Sequence, residues 1–276
     1  MHQSYLVYRN FRYLKVAVLG ALAAAIVYGA HSPLDPPNGG TWLGYVLGTI
    51  GAGLILWLMW FGVRKRRYNQ GPTKLQGWLS AHVYLGLALI VVATLHTGFQ
   101  FGWNVHTLAY TLMMLVILSG VFGVFFYQRY PALMTQNRGG LTLTEIFTRI
   151  AALDTESREV SMGLPDEITR AVLDSGRNTQ IGGSVWRQLS GRDPNCPTSR
   201  ALARIKQLAT KVSVEDAVAV RKLLTLLSRK SDLVGRARRD VQYRAFLEIW
   251  LMFHVPLSVG LLAALTTHVF SVFFYW

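Results

Sequence analysis

The sequence predicts an all-α membrane protein: five transmembrane helices forming a bundle, with a helical insertion between spans four and five. Three observations predict it. The 276 residues are 51% hydrophobic and only 15% charged, with a mean hydropathy of +0.29. Five nearly uncharged segments, at 13–30, 43–63, 78–99, 107–127 and 245–274, are long enough to cross about 30 Å of hydrocarbon. Between the fourth and fifth, residues 128–244 turn polar, with 20 basic and 12 acidic side chains. The chain therefore divides into spans one to four at 1–127, an insertion at 128–244 and span five at 245–276.

Span one follows a basic start at Arg9, Arg12 and Lys15. No small-residue cleavage site leads into a soluble mature protein, so an uncleaved span is expected. On span two, Gly44, Gly48 and Gly51 share a face and favour close helix approach. Span three carries His82 and His96. Span four begins beside Trp103, Asn104 and His106 and ends in aromatic residues at 125–130, an interfacial belt. Span five carries His254 and His268, with Pro256 expected to kink it, and ends in a second aromatic belt at 272–276.

The insertion reads as helices. Thr142 is a cap candidate before an amphipathic run. A second run starts at Pro165 with acids and ends at Gly176, a candidate C-terminal cap. A third has Ser213 as its N-cap, acids in its first turn and basic residues at its end. The stretch 175–199, rich in Gly, Asn, Pro and Ser, reads as loop. The last stretch, from Leu233, is expected to continue as one helix into span five. Alternating strand patterns, repeats and a Gly-rich dinucleotide fingerprint are absent. A docking role is the expectation for this domain.

Charge sets the expected orientation. All 28 Lys and Arg residues fall on one side of a five-span topology, before or at the very start of span one, between spans two and three, or in the insertion. The loops 31–42 and 100–106 carry none. The positive-inside rule puts the basic side in the cytoplasm, hence the N-terminus inside and the C-terminus outside, in a bacterial inner membrane. Topology and anionic lipid account for the net charge of +14 without nucleic acid.

The histidines carry the functional signal. His82 and His96 are 14 residues apart on span three, and His254 and His268 are 14 apart on span five. Fourteen residues rise about 21 Å and make two heptads, so each pair shares a face. Spans three and five run in the same direction. His82 then meets His254 on the cytoplasmic side, and His96 meets His268 on the outer side. Ionisable groups are costly inside a bilayer and are by default functional. A lone intramembrane histidine also hydrogen-bonds neighbouring helices; agreement in spacing and depth of all four favours metal ligation. Each ligand would turn its second ring nitrogen to a partner, with Thr94, Thr266, Thr267 and Ser258 as candidates. Gly86 and Gly260, near the ligands, could leave room for a bulky group. His106 is read as a solvated interfacial residue or as lining an acceptor or quinone site; His31 and His2 read as solvated. Glu248 reads as snorkelling to the interface.

This pattern resembles the di-haem b-type cytochromes, including cytochrome b of quinol-oxidising complexes and the ferric-reductase and NADPH-oxidase transmembrane cores. In these, two parallel helices each supply two histidines about four turns apart. The resemblance covers the bundle, not 128–244. It implies a haem-binding bundle with two b haems, held by His82 with His254 and His96 with His268, serving transmembrane electron transfer. No flavin or nicotinamide domain accompanies the spans. The implied setting is thus a subunit of a larger oxidoreductase, with a redox partner or carrier on the cytoplasmic side and a donor, acceptor or quinone on the outer side. Cys196 is the only cysteine, which excludes intrachain disulfides, four-cysteine clusters and covalent haem attachment. A quinone-reactive cytochrome anchor is the neighbouring alternative, and a haem-free scaffold or metal transporter the distant one.

Overall fold

The computed structural model describes residues 4–33, 36–66 and 75–274. Among the described residues, a short 3-10 turn at Tyr5–Val7 leads into nine helices in chain order: α1 Tyr8–Ala30, α2 Trp42–Arg66, α3 Leu75–Thr97, α4 Val105–Arg138, α5 Leu143–Ser161, α6 Asp166–Asn178, α7 Val185–Ser190, α8 Pro197–Leu208 and α9 Ala217–Phe274. The described residues contain no strand. Five of the helices are long and apolar enough to cross a membrane, so the fold is the all-α, membrane-spanning class that the hydropathy predicts. His2, Arg67, Lys74 and the last two residues of the C-terminal aromatic belt lie outside the described residues.

The chain forms two compact units: Met1–Phe125 with Trp250–Trp276, and Phe126–Ile249. In the first, α2, α3, α4 and the end of α9 meet around Ile55, Leu89, Met113 and Leu261. Helix α1 joins through Ala24 and Tyr28 against Leu43, Leu47 and Val92. Large apolar side chains such as Leu19, Ile26, Phe122 and Phe253 stay exposed on the outer faces. That is the arrangement of helices hydrophobic all round, whose lipid-facing side needs no polar cover. The regular part of α1 starts after Phe11, because Arg9, Asn10 and Phe11 adopt left-handed φ of 46°, 55° and 59°. Pro256 does not end α9, which continues as helix to Phe274.

The second unit packs Ile168 and Val172 of α6, Ala201 and Ile205 of α8, and Leu223 and Leu227 of α9 into one core. Thr142 caps α5 as expected, in a reciprocal capping box with Glu145. Three expectations are corrected. Helix α6 runs past Gly176 to Asn178; a Cβ on the glycine would make only ordinary contact with Asp154 Oδ1, at 3.6 Å. The stretch read as loop holds the short helix α7 and the start of α8. Ser213 holds a turn through the Asp216 amide at 3.2 Å, and the helix begins after it at Ala217.

Charged groups knit this unit together. Lys230, read from sequence as a basic helix end, is fully buried inside a longer helix. Its Nζ donates to Asp154 Oδ1 at 2.5 Å, Ser175 O at 2.8 Å and Ser175 Oγ at 2.9 Å, which uses all three ammonium donors. Arg138 forms a fork on the buried Asp240 carboxylate at 2.6 and 2.9 Å. Three arginines close together on α9, Arg236, Arg238 and Arg239, are each engaged within the unit. Arg236 pairs with Asp232, Arg239 donates to Asn137, and Arg238 binds Asp193 and the Gln180 carbonyl. The Arg238 and Asp193 side chains are only 13% and 11% exposed, so this ion pair is part of the framework.

Candidate histidine sites in the bundle

The first unit brings α3 and the C-terminal end of α9 together, with their histidines in matching pairs. His96 and His268 face each other with ring centroids 6.0 Å apart and planes at 89°. His82 and His254 are close enough to interact electrostatically. The rings of His96 and His268, and those of His82 and His254, thus lie near one another, and α3 runs parallel to the end of α9.

The protein holds each ring differently. His96 Nδ1 lies 2.7 Å from the Gly44 carbonyl, and the imidazole rests against α2 where Gly48 has no side chain; a Cβ there would come within 2.7 Å of its Cε1. His268 Nδ1 is hydrogen-bonded to His106 Nδ1. Both contacts occupy Nδ1. His254 Nδ1 is 2.7 Å from Ser119 Oγ of α4, and its ring stacks on Trp250 at 5.2 Å. Two α4 glycines make this possible. Gly120 faces the His254 ring, and Gly123 receives the Trp250 indole, into which any Cβ would intrude. The indole Nε1 donates to the Ser119 carbonyl at 2.7 Å.

His82 packs against Phe61, centroids 5.0 Å apart. Its Nδ1 is buried without a hydrogen-bond partner, as is Ser80 Oγ two residues before it. Buried polar atoms are nearly always satisfied, so an orphan marks a place where a ligand or water belongs. A Cβ on Gly86 or Gly260 would meet nothing within 4 Å, so both positions border open space.

The expected partners are replaced. Thr94, Thr266, Thr267 and Ser258 hydroxyls donate to helix carbonyls of their own turns, and Thr94 also meets Tyr110. The partners are the Gly44 carbonyl for His96, Ser119 for His254, His106 for His268 and the Leu58 backbone for His82, and the glycines against the rings are Gly39, Gly48 and Gly120. His106 is exposed, as expected of an interfacial residue, yet it engages His268. His31, expected to be solvated, is partly buried with its ring against Trp42 at 5.2 Å and its Nε2 unpartnered. Among the described residues, no group of three or more His, Cys, Asp or Glu side chains is arranged to hold a metal ion by itself. A polar cavity of about 320 Å³ in the second unit, bordered by Asp174, Arg187 and Arg200, contains no histidine.

Fold and site together define a helical membrane protein with two opposed pairs of intramembrane histidines. Compared with known proteins, the chain matches no family model, no curated protein and no solved structure.

Proposed function

We propose that the chain carries electrons across a membrane through two b haems, one held by His82 and His254 and one by His96 and His268. The His96–His268 geometry carries this reading. Metal–imidazole bonds of about 2.0–2.1 Å on opposite sides of one ion would put two ring centres roughly 6.4 Å apart, close to the 6.0 Å between His96 and His268. Both Nδ1 atoms are engaged by the protein, which leaves each Nε2 as the ligating atom; outer-sphere bonds of this kind fix tautomer and orientation. Two facing histidines suffice for a haem because the porphyrin supplies the other four nitrogens. The orphaned His82 Nδ1 and the open space beside Gly86 and Gly260 fit a bulky guest. When bound, the haem supplies one-electron redox chemistry. The chain's own part would be to hold that group between the imidazoles of His82 and His254 and of His96 and His268.

The charge asymmetry supports a bacterial inner-membrane protein with its basic segments, 128–244 included, in the cytoplasm. A partner subunit or carrier would exchange electrons on that side, and a donor, acceptor or quinone on the other. A reduced-minus-oxidised visible spectrum with a pyridine haemochrome count tests the reading. Two non-covalent b haems per chain are expected; protein purified from haem-replete cells with none, or with one at full occupancy, would refute it.

A further inference from the structure

We infer that His106 is a positioning residue for the outer site: by accepting a hydrogen bond from His268 Nδ1 it fixes the ligand's tautomer and aim, and lowers the redox potential of the haem held there. The inference deepens the proposed function and rests on reading His96 and His268 as axial ligands.

The local sequence builds the contact. Asn104 caps α4, its Oδ1 accepting the Thr107 amide at 3.0 Å, while Thr107 Oγ1 accepts the Gly102 amide at 3.1 Å. The first turn of α4 is thereby fixed, and His106 stands within it. From there its Nδ1 meets Nδ1 of His268, with ring centroids 4.6 Å apart and planes at 87°. One of two facing Nδ1 atoms must carry the proton. If His268 donates, its Nε2 is a lone pair free for a metal, and His106 keeps its own proton on Nε2. If His106 donated instead, His268 would carry its proton on Nε2 and could not ligate from there. Ligation therefore selects the arrangement in which His106 accepts. The corresponding role is filled for His96 by the Gly44 carbonyl at 2.7 Å; the two ligands of one site have matching support from different elements.

An acceptor at Nδ1 raises the basicity of the ligating nitrogen, and partners of this type contribute about 10–100-fold to metal affinity. A more basic ligand favours the oxidised iron. Removing the acceptor thus raises the potential of the outer haem and weakens its retention, leaving the inner haem unchanged.

The test compares His106→Leu and His106→Asn in the purified holoprotein, by haem count, redox titration of each haem and low-spin ferric resonance spectra. The Asn carboxamide oxygen takes the place of the imidazole Nδ1 and can accept the same bond. His106→Leu is expected to shift one haem's potential upward and change one ferric signal; His106→Asn is expected to restore both. Unchanged potential and spectrum in His106→Leu would overturn the inference, as would equal perturbation by both substitutions, which would mean that the bond is not what matters. Loss of the outer haem in His106→Asn as complete as in His268→Ala would make His106 a ligand and overturn it as well. Should His106→Leu lose the haem, retention at the native potential in His106→Asn supports it. Failure of the underlying reading looks different: the unaltered protein would then lack two haems.

Discussion

A Cβ on Gly48 would stand 2.7 Å from Cε1 and 2.9 Å from Nδ1 of His96. The imidazole occupies the gap left by Gly48 on α2, bonded to the carbonyl of Gly44 one turn earlier. Glycine normally weakens a helix by about 1 kcal/mol relative to alanine, so its use here is steric.

Gly48→Ala should therefore displace His96 despite its better helix propensity. The expected result is loss or spectral change of the outer haem with helix content unchanged by circular dichroism. Gly53→Ala on the same helix is the control, since a Cβ there meets nothing within 4 Å. Equal haem content in both variants would show that the ring can shift at no consequence.

Substitution of ligands should follow the pairs. His82→Ala or His254→Ala removes one haem, His96→Ala or His268→Ala the other, because a rise of about 21 Å along the helix keeps either site from borrowing the other's ligand. His82→Ala with His254→Ala should look like either alone, whereas His82→Ala with His96→Ala should abolish both haems. Haem counts and difference spectra of the four single and two double variants decide it. A crossed pattern, with His82 and His268 behaving as one pair, would contradict the parallel helices.

The spans and the histidine pairs were legible because both are properties of residue type and spacing alone: uniform apolarity over a bilayer's thickness, and a repeat of 14. The ring partners were not. Thr94, Thr266, Thr267 and Ser258 looked suitable, but a hydroxyl in a helix finds the carbonyl one turn back first, and each of the four does so. The actual partner of His96 is a backbone carbonyl, which no residue type announces. His106 was visible as an interfacial histidine, but its bond to His268 spans 162 positions of sequence. Lys230 was misplaced for a similar reason. A lysine ending an apolar run resembles a helix terminus, and only Asp154 and Ser175, far away in sequence, convert it into a core residue.

That core lysine gives an asymmetric prediction. Asp154→Ala leaves the buried Lys230 ammonium without its counter-charge, a change that costs about 3–5 kcal/mol. Lys230→Met fills similar volume without the charge, and Asp154 is 21% exposed and can turn to water. Its cost should be clearly smaller. Thermal or denaturant unfolding of the insertion, followed by circular dichroism, should rank Asp154→Ala below Lys230→Met and both below the unaltered protein. The reverse order would mean that Lys230 is held by Ser175 rather than by the ion pair.

The single thiol offers a probe of the Arg238 framework. Cys196 is buried, 2% exposed, so maleimide labels it only when the second unit opens locally. Burial pushes the thiol up, but the Ser199 backbone and Arg238 outweigh it and hold the group below its ordinary 9.0. Arg238→Gln has two opposing effects on labelling. Loss of the cation returns the thiol toward its ordinary value, which reduces the thiolate fraction at neutral pH and slows reaction. Breaking the nearly buried ion pair with Asp193 destabilises the unit by about 3 kcal/mol, which raises the open population roughly a hundredfold. Opening is the larger effect, so labelling of Arg238→Gln at pH 7 should be much faster, while Arg236→Gln, whose pair with Asp232 is solvent-exposed, should change the rate little. Slower labelling in Arg238→Gln would show that the arginine acts on the thiol's acidity alone and that its ion pair does not hold the unit closed.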